Sequence, residues 1–501
     1  MVTFFTVLFW LLLFLIITFN LFVIISHGML IGVYPYVMVV TLVFGVLLLV
    51  IRFVKWTLLI KIATLLMAVV FILSLYTFYQ IWRNTRLLNG YISKRSSYMN
   101  EIEQLLKNED VTRGSFSKQE EGIISLIEAN TGIPVTYHNQ GEYLNGGGET
   151  IDAMIEAMDK AQHHIHVEFF IMRDDSIGNK FKDILIKKAQ EGVSVRVIYD
   201  GLGSRKLKKN YVGELKKEGV DVRAYDGYID SLLKGKLNHR NHRKIVVVDG
   251  KVGFVGGFNI GDEYLGRDEN IGYWKDLQVQ LEGDVVHSMQ MVFLGDWYYV
   301  TDEKILEEEY FPSNHGITNY MPAQMVTSGF DTYWSEISQF YFAMITSAED
   351  RVYIGTPYLV LNDSMLKALQ VAALKGVDVR LIIPKKPDLF IVGWANESYF
   401  EKLLKSKVKI YQYDRGFLHA KVFLVDDRIV SVGTANFNTR SLFLDYEVNA
   451  VIYDKGMAGK LLEEFQLYER ESQQVTYEDE MKKGLLNKVK GMLGKIIIPL
   501  A

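Results

Sequence analysis

Two stretches of the chain carry the same order of strand, helix, glycine and strand, and this repeat limits the folds open to it. In the first, a strand-like segment over residues 164–171 precedes a helical run that ends at Gly192 and a second strand over residues 193–199. In the other, residues 351–354 precede a helical run that ends at Gly376 and a strand over residues 377–383. This order is typical of a right-handed βαβ unit. Its duplication predicts an α/β fold with two lobes, whose sheets pack between helices.

Each half also contains the same polar residues at the same spacing. A histidine is followed by lysine at +2, aspartate at +7, glycine at +14 and asparagine at +17. In the first half these residues are His242, Lys244, Asp249, Gly256 and Asn259. In the second half they are His419, Lys421, Asp426, Gly433 and Asn436. Coincidence in an apolar strand is the alternative, but such a set is expected by chance in roughly one chain in thousands. Two sets at matching places of a repeat therefore indicate a site.

The spacing has a chemical reason. Residues i and i+2 of a strand point to one face, so each motif delivers a potential nucleophile and a fixed cation to the same side. The two asparagines can donate N–H bonds to a phosphate oxygen, and we interpret the two glycines as room for an approaching phosphate. Asp249 and Asp426 fall at a strand end, where we expect them to position the loop. Two facing motifs supply two histidines, two lysines and two asparagines, which suits a phosphodiester.

At these residues the chain resembles the phospholipase D superfamily, whose HKD motif it matches twice. The surrounding residues are similar to bacterial cardiolipin synthases, from about Gly147 to the C-terminus. The similar segments are residues 238–250, 256–261, 274–276, 293–297, 356–358 and 416–421. The resemblance implies transmembrane helices followed by two phospholipase D-like α/β lobes that form one pseudo-twofold catalytic unit.

The resemblance also implies a reaction. Two phosphatidylglycerol molecules would give cardiolipin and glycerol through a phosphatidyl-histidine, with no metal and no other cofactor. One histidine must be neutral to attack phosphorus, and the other must be protonated to release glycerol. Lys244 and Lys421 would offset the charge that builds on the phosphoryl oxygens. The repeat is symmetric and leaves the two roles open, while the resemblance favours His242 as nucleophile and His419 as acid and base.

An acidic partner should orient each histidine through its second ring nitrogen. Asp276 and Glu447 lie 17 and 11 residues after Asn259 and Asn436, respectively. Both match acidic positions of the family, so the resemblance implies that they orient the two histidines.

The N-terminus indicates a membrane anchor. No charged residue precedes Arg52, and residues 4–25, 29–51 and 57–79 form apolar stretches of 22, 23 and 23 residues. As helices they would be about 33–34 Å long, against a hydrocarbon core of about 30 Å. We predict two or three transmembrane helices over residues 1–82 in a bacterial cell membrane, where family members usually show two. A cleaved signal peptide with one span is the alternative, but the first stretch lacks a basic start and an A-x-A-like site.

The flanking charges favour a cytoplasmic catalytic part. Four basic residues follow the last apolar stretch, against three around its start, which lie across a span from the four if all three stretches cross the membrane. The four are Arg83, Arg86, Lys94 and Arg95, and the three are Arg52, Lys55 and Lys61.

Four further segments follow the anchor. We predict a helical linker over residues 83–132, a first lobe over 133–320 and a second lobe over 321–480. Residues 481–501 mix five lysines with apolar residues, which is typical of a basic amphipathic segment. We expect this tail to lie on a membrane surface, and packing on the catalytic body is the alternative.

Composition excludes several other functions. The chain has no cysteine, which excludes a disulfide framework, a thiolate zinc site and a cysteine nucleophile. With seven of the 55 basic residues in the first hundred positions, the remaining 48 face all 59 acidic residues, a net charge of −11. An acidic soluble part disfavours a nucleic-acid partner and a nuclease of the same superfamily. The run 163–166 with three histidines is interpreted as an ordinary polar strand, although a metal cluster is the alternative.

Two enzymatic alternatives share every motif. One is a phospholipase D in which water replaces the second lipid, and the other is a phosphatidyltransferase that uses a different donor lipid. A non-enzymatic membrane scaffold would not need two complete sets of histidine, lysine and asparagine.

Overall fold

The computed structural model describes residues 97–484, apart from 103, 105–115, 228–239, 269–271, 314–315, 330–331 and 333, together with residues 490, 491, 493 and 494. The predicted anchor, residues 1–82, lies outside the described residues, as do parts of the predicted linker and tail. Within the described ranges, the structure contains no helix that is both long and apolar enough to cross a membrane.

Strands and helices alternate along most of the described chain. The strands are β1 (Thr136–Asn145), β2 (His164–Phe169), β3 (Ser194–Asp200), β4 (Asp221–Tyr225), β5 (Lys244–Val248), β6 (Val252–Gly256), β7 (Trp274–Lys275), β8 (Leu277–Gly283), β9 (Tyr320–Ser328), β10 (Arg351–Gly355), β11 (Asp378–Pro384), β12 (Lys409–Tyr413), β13 (Phe417–Leu418), β14 (Val422–Val425), β15 (Ile429–Gly433), β16 (Glu447–Tyr453) and β17 (Ser472–Val475). The helices are α1 (Lys118–Thr131), α2 (Gly147–Asp159), α3 (Ser176–Gln190), α4 (Lys209–Lys217), α5 (Val285–Thr301), α6 (Glu336–Ser347), α7 (Asp363–Lys375), α8 (Phe390–Glu397), α9 (Phe400–Lys405), α10 (Thr439–Phe443), α11 (Lys455–Arg470) and α12 (Tyr477–Lys482). Short 3₁₀ helices cover Asp262–Leu265 and Glu308–Tyr310.

One sheet of 15 strands runs through both halves of the described chain. Antiparallel β1 and β9 pair near its centre. Outward from β1 come β8, β6, β5, β2, β3 and β4, and outward from β9 come β16, β15, β14, β10, β11 and β12, with β17 at that edge. The two α/β lobes are therefore confirmed, with the same strand order in each. The β1–β9 pairing joins their sheets into one.

The repeated βαβ units lie where the sequence predicts them. β2 and β3 are parallel neighbours joined through α3, and β10 and β11 are parallel neighbours joined through α7. Gly376 ends α7 with a φ of 106°, and Gly192 follows α3 with a φ of 91°. Only glycine adopts this left-handed conformation freely, which explains why each helical run ends at a glycine.

Alternation along the central strands places helices on both faces of the sheet. In β5, Ile245 and Val247 pack into an apolar cluster with α5, while Val246 and Val248 pack into another with α2 and α3. β14 repeats this pattern, with one side packed toward α11 and the other toward α6 and α7. Strands buried on both faces read as continuous apolar runs, which is why four apolar residues follow each motif lysine.

The motif aspartates have the same structural role in both lobes. Asp249 accepts the backbone N–H groups of residues 162–164, each at 2.8 Å. Asp426 accepts those of residues 349–351 at 2.8–2.9 Å. Each carboxylate therefore ties the turn after one central strand to the start of its neighbour, β2 or β10. Both residues have a left-handed backbone, with φ values of 52° and 50°.

We predict that Asp426→Ala destabilises the protein by about 2 kcal/mol, because three N–H groups lose a charged acceptor. The adjacent Asp427→Ala is the matched control. Asp427 has a φ of 53° and pairs with Arg351, but its carboxylate accepts none of those three N–H groups. Thermal unfolding of both variants in one detergent checks this. Equal losses of stability would show that the backbone conformation, and not the carboxylate, sets the cost.

Candidate active site

Each motif lysine holds its amino group against the backbone of its own histidine. Lys244 opens β5, and its Nζ donates to the carbonyl oxygen of His242 at 2.7 Å. Lys421 directly precedes β14, and its Nζ donates to the carbonyl oxygen of His419. The histidines lie just before these strands rather than on them. The lysine contact brings the cation and the imidazole of each motif together.

Each histidine is bound to a carboxylate from the other half. His242 Nδ1 lies 2.9 Å from both carboxylate oxygens of Glu447, and His419 Nδ1 lies 2.7 Å from Asp276 Oδ2. Both carboxylates are fully buried. Because Nδ1 is occupied in each ring, Nε2 is the nitrogen left to face a substrate.

Backbone hydrogen bonds of the two histidines also cross between the halves. His242 N–H donates to the carbonyl of Tyr446 at 2.9 Å, and His419 N–H donates to that of Lys275 at 2.7 Å. Tyr446 and Lys275 each directly precede the partner carboxylate in sequence. In addition, β7 pairs in parallel with β13, and Asn241 forms an isolated bridge with Tyr446. Neither half contains a complete site, so the two halves must associate to form both pairs.

Aromatic rings enclose both imidazoles. The ring centre of Phe170 lies 4.9 Å from that of His242, and the ring centre of Trp274 lies 4.9 Å from that of His419. His242 is 9% exposed and His419 is 6% exposed. Apolar walls lower the local dielectric constant and strengthen every charge interaction in the site.

Burial and the nearby cations favour the neutral form of both imidazoles. Burial lowers the pKa of His242 far below its usual value, with Lys244 and Lys421 adding to the effect. Burial followed by Lys421 lowers the pKa of His419 to about 3, against the opposing charge of Asp276. Lys421 acts on both rings, which places the two motifs in one electrostatic site.

The two carboxylates differ in protonation. Burial raises the pKa of Glu447 to about 7, although Lys244 opposes the rise. Burial also raises the pKa of Asp276, but His419 and Lys421 more than offset it and leave that pKa below its usual value. Asp276 is therefore ionised at neutral pH, whereas the Glu447 pair exchanges a proton near neutrality.

Burial also lowers the pKa values of the two motif lysines. It lowers the pKa of Lys244 to about 7 and that of Lys421 to about 8. These cations therefore lose their charge at a lower pH than exposed lysines do.

One position beside the carboxylates differs between the halves. A Cβ on Gly257 would lie 2.1 Å from Asp276 Oδ1, so glycine leaves room for that carboxylate. Thr434 occupies the matching position of the second half and donates its hydroxyl to Glu447. The repeat therefore makes two similar pairs with different polar surroundings.

The motif glycines have a different role from the one predicted. A Cβ on Gly256 would lie 2.5 Å from the carbonyl oxygen of Leu277, and one on Gly433 would lie 2.4 Å from that of Val448. The neighbouring strands β8 and β16 occupy the space that the sequence analysis assigned to phosphate. Close strand packing, not ligand approach, requires these glycines.

Both motif asparagines are buried. Asn259 Oδ1 accepts the backbone N–H of Ile171 at 3.1 Å. Asn436 Nδ2 lies 3.4 Å from Ser441 Oγ. The Asn259 side chain also donates to the Tyr264 hydroxyl, which leaves one amide N–H that could bind an anion.

A polar network beneath His242 has no counterpart in the other half and was not predicted. Arg243 donates to Asp296 on α5 and to the backbone carbonyl of Glu447. Alanine, Ala420, stands at the matching place of the second motif. Asp296 is the one acidic residue of the 17-residue apolar helix α5, a signal that could have pointed to a buried cation.

Among the residues that the structure describes, no group of three or more histidine, aspartate or glutamate side chains is arranged to hold a metal ion. In the histidine-rich strand β2, His166 Nδ1 lies 3.0 Å from Gln290 Oε1 and its ring stacks on Tyr310. His164 also contacts Tyr310. These contacts are those of a packed polar strand.

The family model described as cardiolipin synthase, PLD-like domain, matches residues 154–297 and 341–468. The first segment ends after His242, Asn259 and Asp276, and the second contains His419 and Glu447. Each matched segment therefore includes one motif and the carboxylate that it contributes to the other.

Curated relatives agree with the family model. The chain is 43% identical over 385 residues to cardiolipin synthase 2 of Bacillus anthracis, which covers 76% of this chain and 75% of that protein. It is 47% identical over 333 residues to the cardiolipin synthase of Geobacillus thermodenitrificans strain NG80-2, covering 66% of each. The crystal structure of phosphatidylserine synthase from Haemophilus influenzae Rd KW20 shares the fold, with 17% identity, a TM-score of 0.58, and coverage of 76% of this chain and 98% of that one. The chain therefore belongs to the bacterial cardiolipin synthase family of the phospholipase D superfamily.

Proposed function

We propose that the protein is a phosphatidyltransferase that converts two phosphatidylglycerol molecules into cardiolipin and glycerol. The observation that carries this proposal is the pair of buried histidines, each bound at Nδ1 by a carboxylate of the other half and each beside a lysine. Two imidazoles that bind their carboxylates through Nδ1 can supply, through Nε2, the nucleophile and the proton donor that a covalent double displacement needs. The names of the curated relatives support cardiolipin as the product.

In the first step, Nε2 of His242 attacks the phosphorus of one phosphatidylglycerol. The N–P bond forms as the P–O bond to glycerol breaks, and His419 donates a proton to the departing oxygen. The phosphodiester carries a negative charge, which favours the imidazolium form of His419 once the lipid is bound.

In the second step, His419 accepts a proton from a glycerol hydroxyl of the second phosphatidylglycerol. That oxygen attacks phosphorus, and the bond between phosphorus and His242 breaks. The product is cardiolipin, and both histidines return to their starting protonation states. Lys244, Lys421 and the amides of Asn259 and Asn436 stabilise the charge on the phosphoryl oxygens in both steps.

The carboxylates support this division of roles. Asp276 stays ionised at neutral pH, so its charge stabilises a protonated His419. Once the Glu447 pair has lost its extra proton, His242 is neutral, with Nδ1–H bound to the carboxylate and a lone pair on Nε2. These differences favour His242 as nucleophile and His419 as acid and base.

The walls of the site favour a lipid acceptor over water. Phe170 and Trp274 stand against the two imidazoles, and little of either histidine is exposed. A site that excludes water slows hydrolysis of a covalent intermediate. Phospholipase D activity, with water as the acceptor, is therefore the second candidate.

We further propose that the protein works at the bacterial cell membrane, with its catalytic part on the cytoplasmic side. The uncharged stretches before Arg52 and the basic residues over 83–95 support this placement.

With labelled phosphatidylglycerol as the sole lipid and EDTA present, we expect the purified protein to release cardiolipin and glycerol in equal amounts. The reason is that the proposed transfer needs neither a metal nor a second lipid type. Thin-layer chromatography of products against time checks this. Phosphatidic acid as the main product would instead assign a phospholipase D, and activity restored by one particular metal would overturn the proposed chemistry.

His242→Ala and His419→Ala should each lower turnover by about 10⁴-fold or more, because one imidazole cannot serve as both nucleophile and proton donor. The variants should differ in covalent trapping. His419→Ala retains the nucleophile and is expected to show a slowly formed phosphatidyl adduct on His242, whereas His242→Ala should show none. Mass spectrometry after incubation with phosphatidylglycerol and a denaturing quench near neutral pH measures the adduct, because the N–P bond is labile in acid.

His287→Ala is a control for loss of a partly buried histidine outside the site, since His287 binds the carbonyl oxygen of Pro312. It should retain turnover. An adduct on His419 in the His242→Ala protein would reverse the assigned roles, and full activity of either motif variant would exclude the covalent mechanism.

We expect kcat/KM to follow a narrow bell with its maximum at a pH between about 7 and 8. Below this range the Glu447 pair, with its pKa near 7, keeps its extra proton and His242 cannot attack. Lys244, with a pKa of about 7, begins to lose its charge within this range, and above it Lys421, with a pKa of about 8, loses the remaining charge that attracts the phosphodiester. The profile of kcat/KM reports groups of the free enzyme, so these shifts apply directly.

Two variants test whether Glu447, and not the nearby Asp445, causes the acid limb of the pH profile. Burial raises the pKa of Asp445 to about 7 as well, although Arg440 opposes the rise. Glu447→Gln should remove the acid limb and lower the rate, whereas Asp445→Asn should leave the limb in place. A profile that stays flat up to the ordinary lysine range near pH 10 would contradict the role of the buried lysines.

A further inference from the structure

Two large apolar side chains are exposed at the start of helix α8. Leu389 is 56% exposed and Phe390 is 66% exposed, and no other large apolar side chain among the described residues is more exposed than Phe390. α8 connects β11 to β12 and therefore lies beyond the end of β11. β11 runs parallel to β10, whose end pairs with the start of β14 beside Lys421. The exposed residues thus lie beyond the same ends of the strands as the active site.

Direct contacts link α8 to the active site. Asp388 accepts the hydroxyl of Tyr358 at 2.6 Å, and its charge opposes the fall in the pKa of Lys421 caused by burial. Tyr358 packs on the cluster that contains Trp274, the ring beside His419, and also on the cluster that contains Val392 of α8. The segment that exposes Phe390 therefore forms part of the rim of the active site.

The C-terminal tail packs on the same helix. A Cβ on Gly491 would lie 2.9 Å from Ser398 Cβ, and one on Gly494 would lie 2.7 Å from the backbone nitrogen of Ala395, so both glycines allow close approach. Lys490 Nζ lies 5.7 Å from the ring centre of Trp394. The described residues of the tail thus follow the alternative of packing on the catalytic body. Leu493 is nevertheless 46% exposed.

Lysines flank these apolar side chains. Lys386 is exposed three residues before Leu389, and Lys490 belongs to the tail segment on α8. Apolar side chains bordered by lysines are typical of a surface that lies at the headgroup level of an anionic membrane. We define the rim patch as Leu389, Phe390 and Leu493 with Lys386 and Lys490.

We propose that the rim patch rests in the headgroup region of an anionic bilayer and opens the active site directly onto the membrane surface. The apolar side chains enter the boundary between headgroups and acyl chains, and the lysines bind lipid phosphates. A substrate phosphodiester then reaches His419 past the rim without its acyl chains leaving the bilayer. This inference deepens the proposed function, and it rests on that function for the identity of the lipid that enters.

A position-specific fluorophore tests the proposal, because the chain contains no cysteine. Phe390→Cys gives a single labelling site on the full chain, reconstituted in vesicles of phosphatidylglycerol and phosphatidylcholine. Leu374→Cys is the matched control. Leu374 is 64% exposed near the end of α7, just before β11 begins. It therefore lies at the opposite ends of the strands from the active site.

An environment-sensitive label at residue 390 should emit at a shorter wavelength than the label at residue 374. Lipids that carry a nitroxide near the headgroup should quench the label at residue 390 at least threefold more than the label at residue 374. Iodide in the buffer should show the reverse order. In vesicles of phosphatidylcholine alone, lipid quenching at residue 390 should fall at least twofold, because the lysines lose their anionic partners.

Four results would overturn the proposal or a part of it. If lipid quenchers reach neither label, the rim patch does not contact the bilayer. If lipid quenchers reach both labels equally, the protein does not prefer this surface for membrane contact. A label at residue 390 that is shielded from iodide and from lipid quenchers would show a contact with a second protein copy. Quenching that is unchanged without anionic lipid would overturn the role of the lysines.

These fluorescence readouts need no turnover, so they fail independently of the proposed reaction. An activity measurement adds a second test. Phe390→Ser should lower the rate on vesicle lipid several-fold and leave the rate on dispersed short-chain phosphatidylglycerol unchanged. Equal loss on both substrates would place Phe390 in the fold of the site and not at the membrane.

Discussion

The site depends on buried imidazoles that bind carboxylates supplied by the other half of the repeat. A carboxylate buried as fully as Glu447 or Asp276 is costly unless hydrogen bonds and nearby cations compensate for lost hydration. Here each carboxylate receives a histidine from the other lobe, and lysines of the site oppose the effect of burial on its pKa. The pairing of β1 with β9 and the bridges between the halves hold those partners together. Association of the lobes and assembly of the site are thus one structural event.

A duplicated motif does not make two equal sites. Thr434 donates to Glu447 where Gly257 only leaves room for Asp276, and Arg243 adds a buried ion pair where the second motif has alanine. The carboxylate pKa values differ as well, because burial raises that of Glu447 to about 7 whereas His419 and Lys421 leave that of Asp276 below its usual value. Groups with separated pKa values can divide nucleophilic and acid–base work. Divergence around identical histidines therefore explains how a symmetric repeat can catalyse an asymmetric reaction.

The sequence predicted the two α/β lobes and the histidine–lysine sets because both follow from short-range patterns, such as the glycine that ends each helical run and the four apolar residues after each lysine. Asp276 and Glu447 came from the family resemblance, and their crossed pairing with the histidines was not predicted. That pairing depends on contacts between residues 143 and 205 positions apart. The predicted role of Gly256 was wrong for a similar reason. The strand that fills the space beside it, β8, comes from a later part of the chain.

In the proposed reaction the phosphatidyl group passes through a histidine in two in-line displacements. Each displacement inverts phosphorus, so two of them restore its configuration. The direct measurement uses phosphatidylglycerol made chiral at phosphorus with sulfur, and determines the configuration of the cardiolipin product. Retention is the result that the paired histidines predict, and inversion would show one direct transfer between the two lipids and contradict the account.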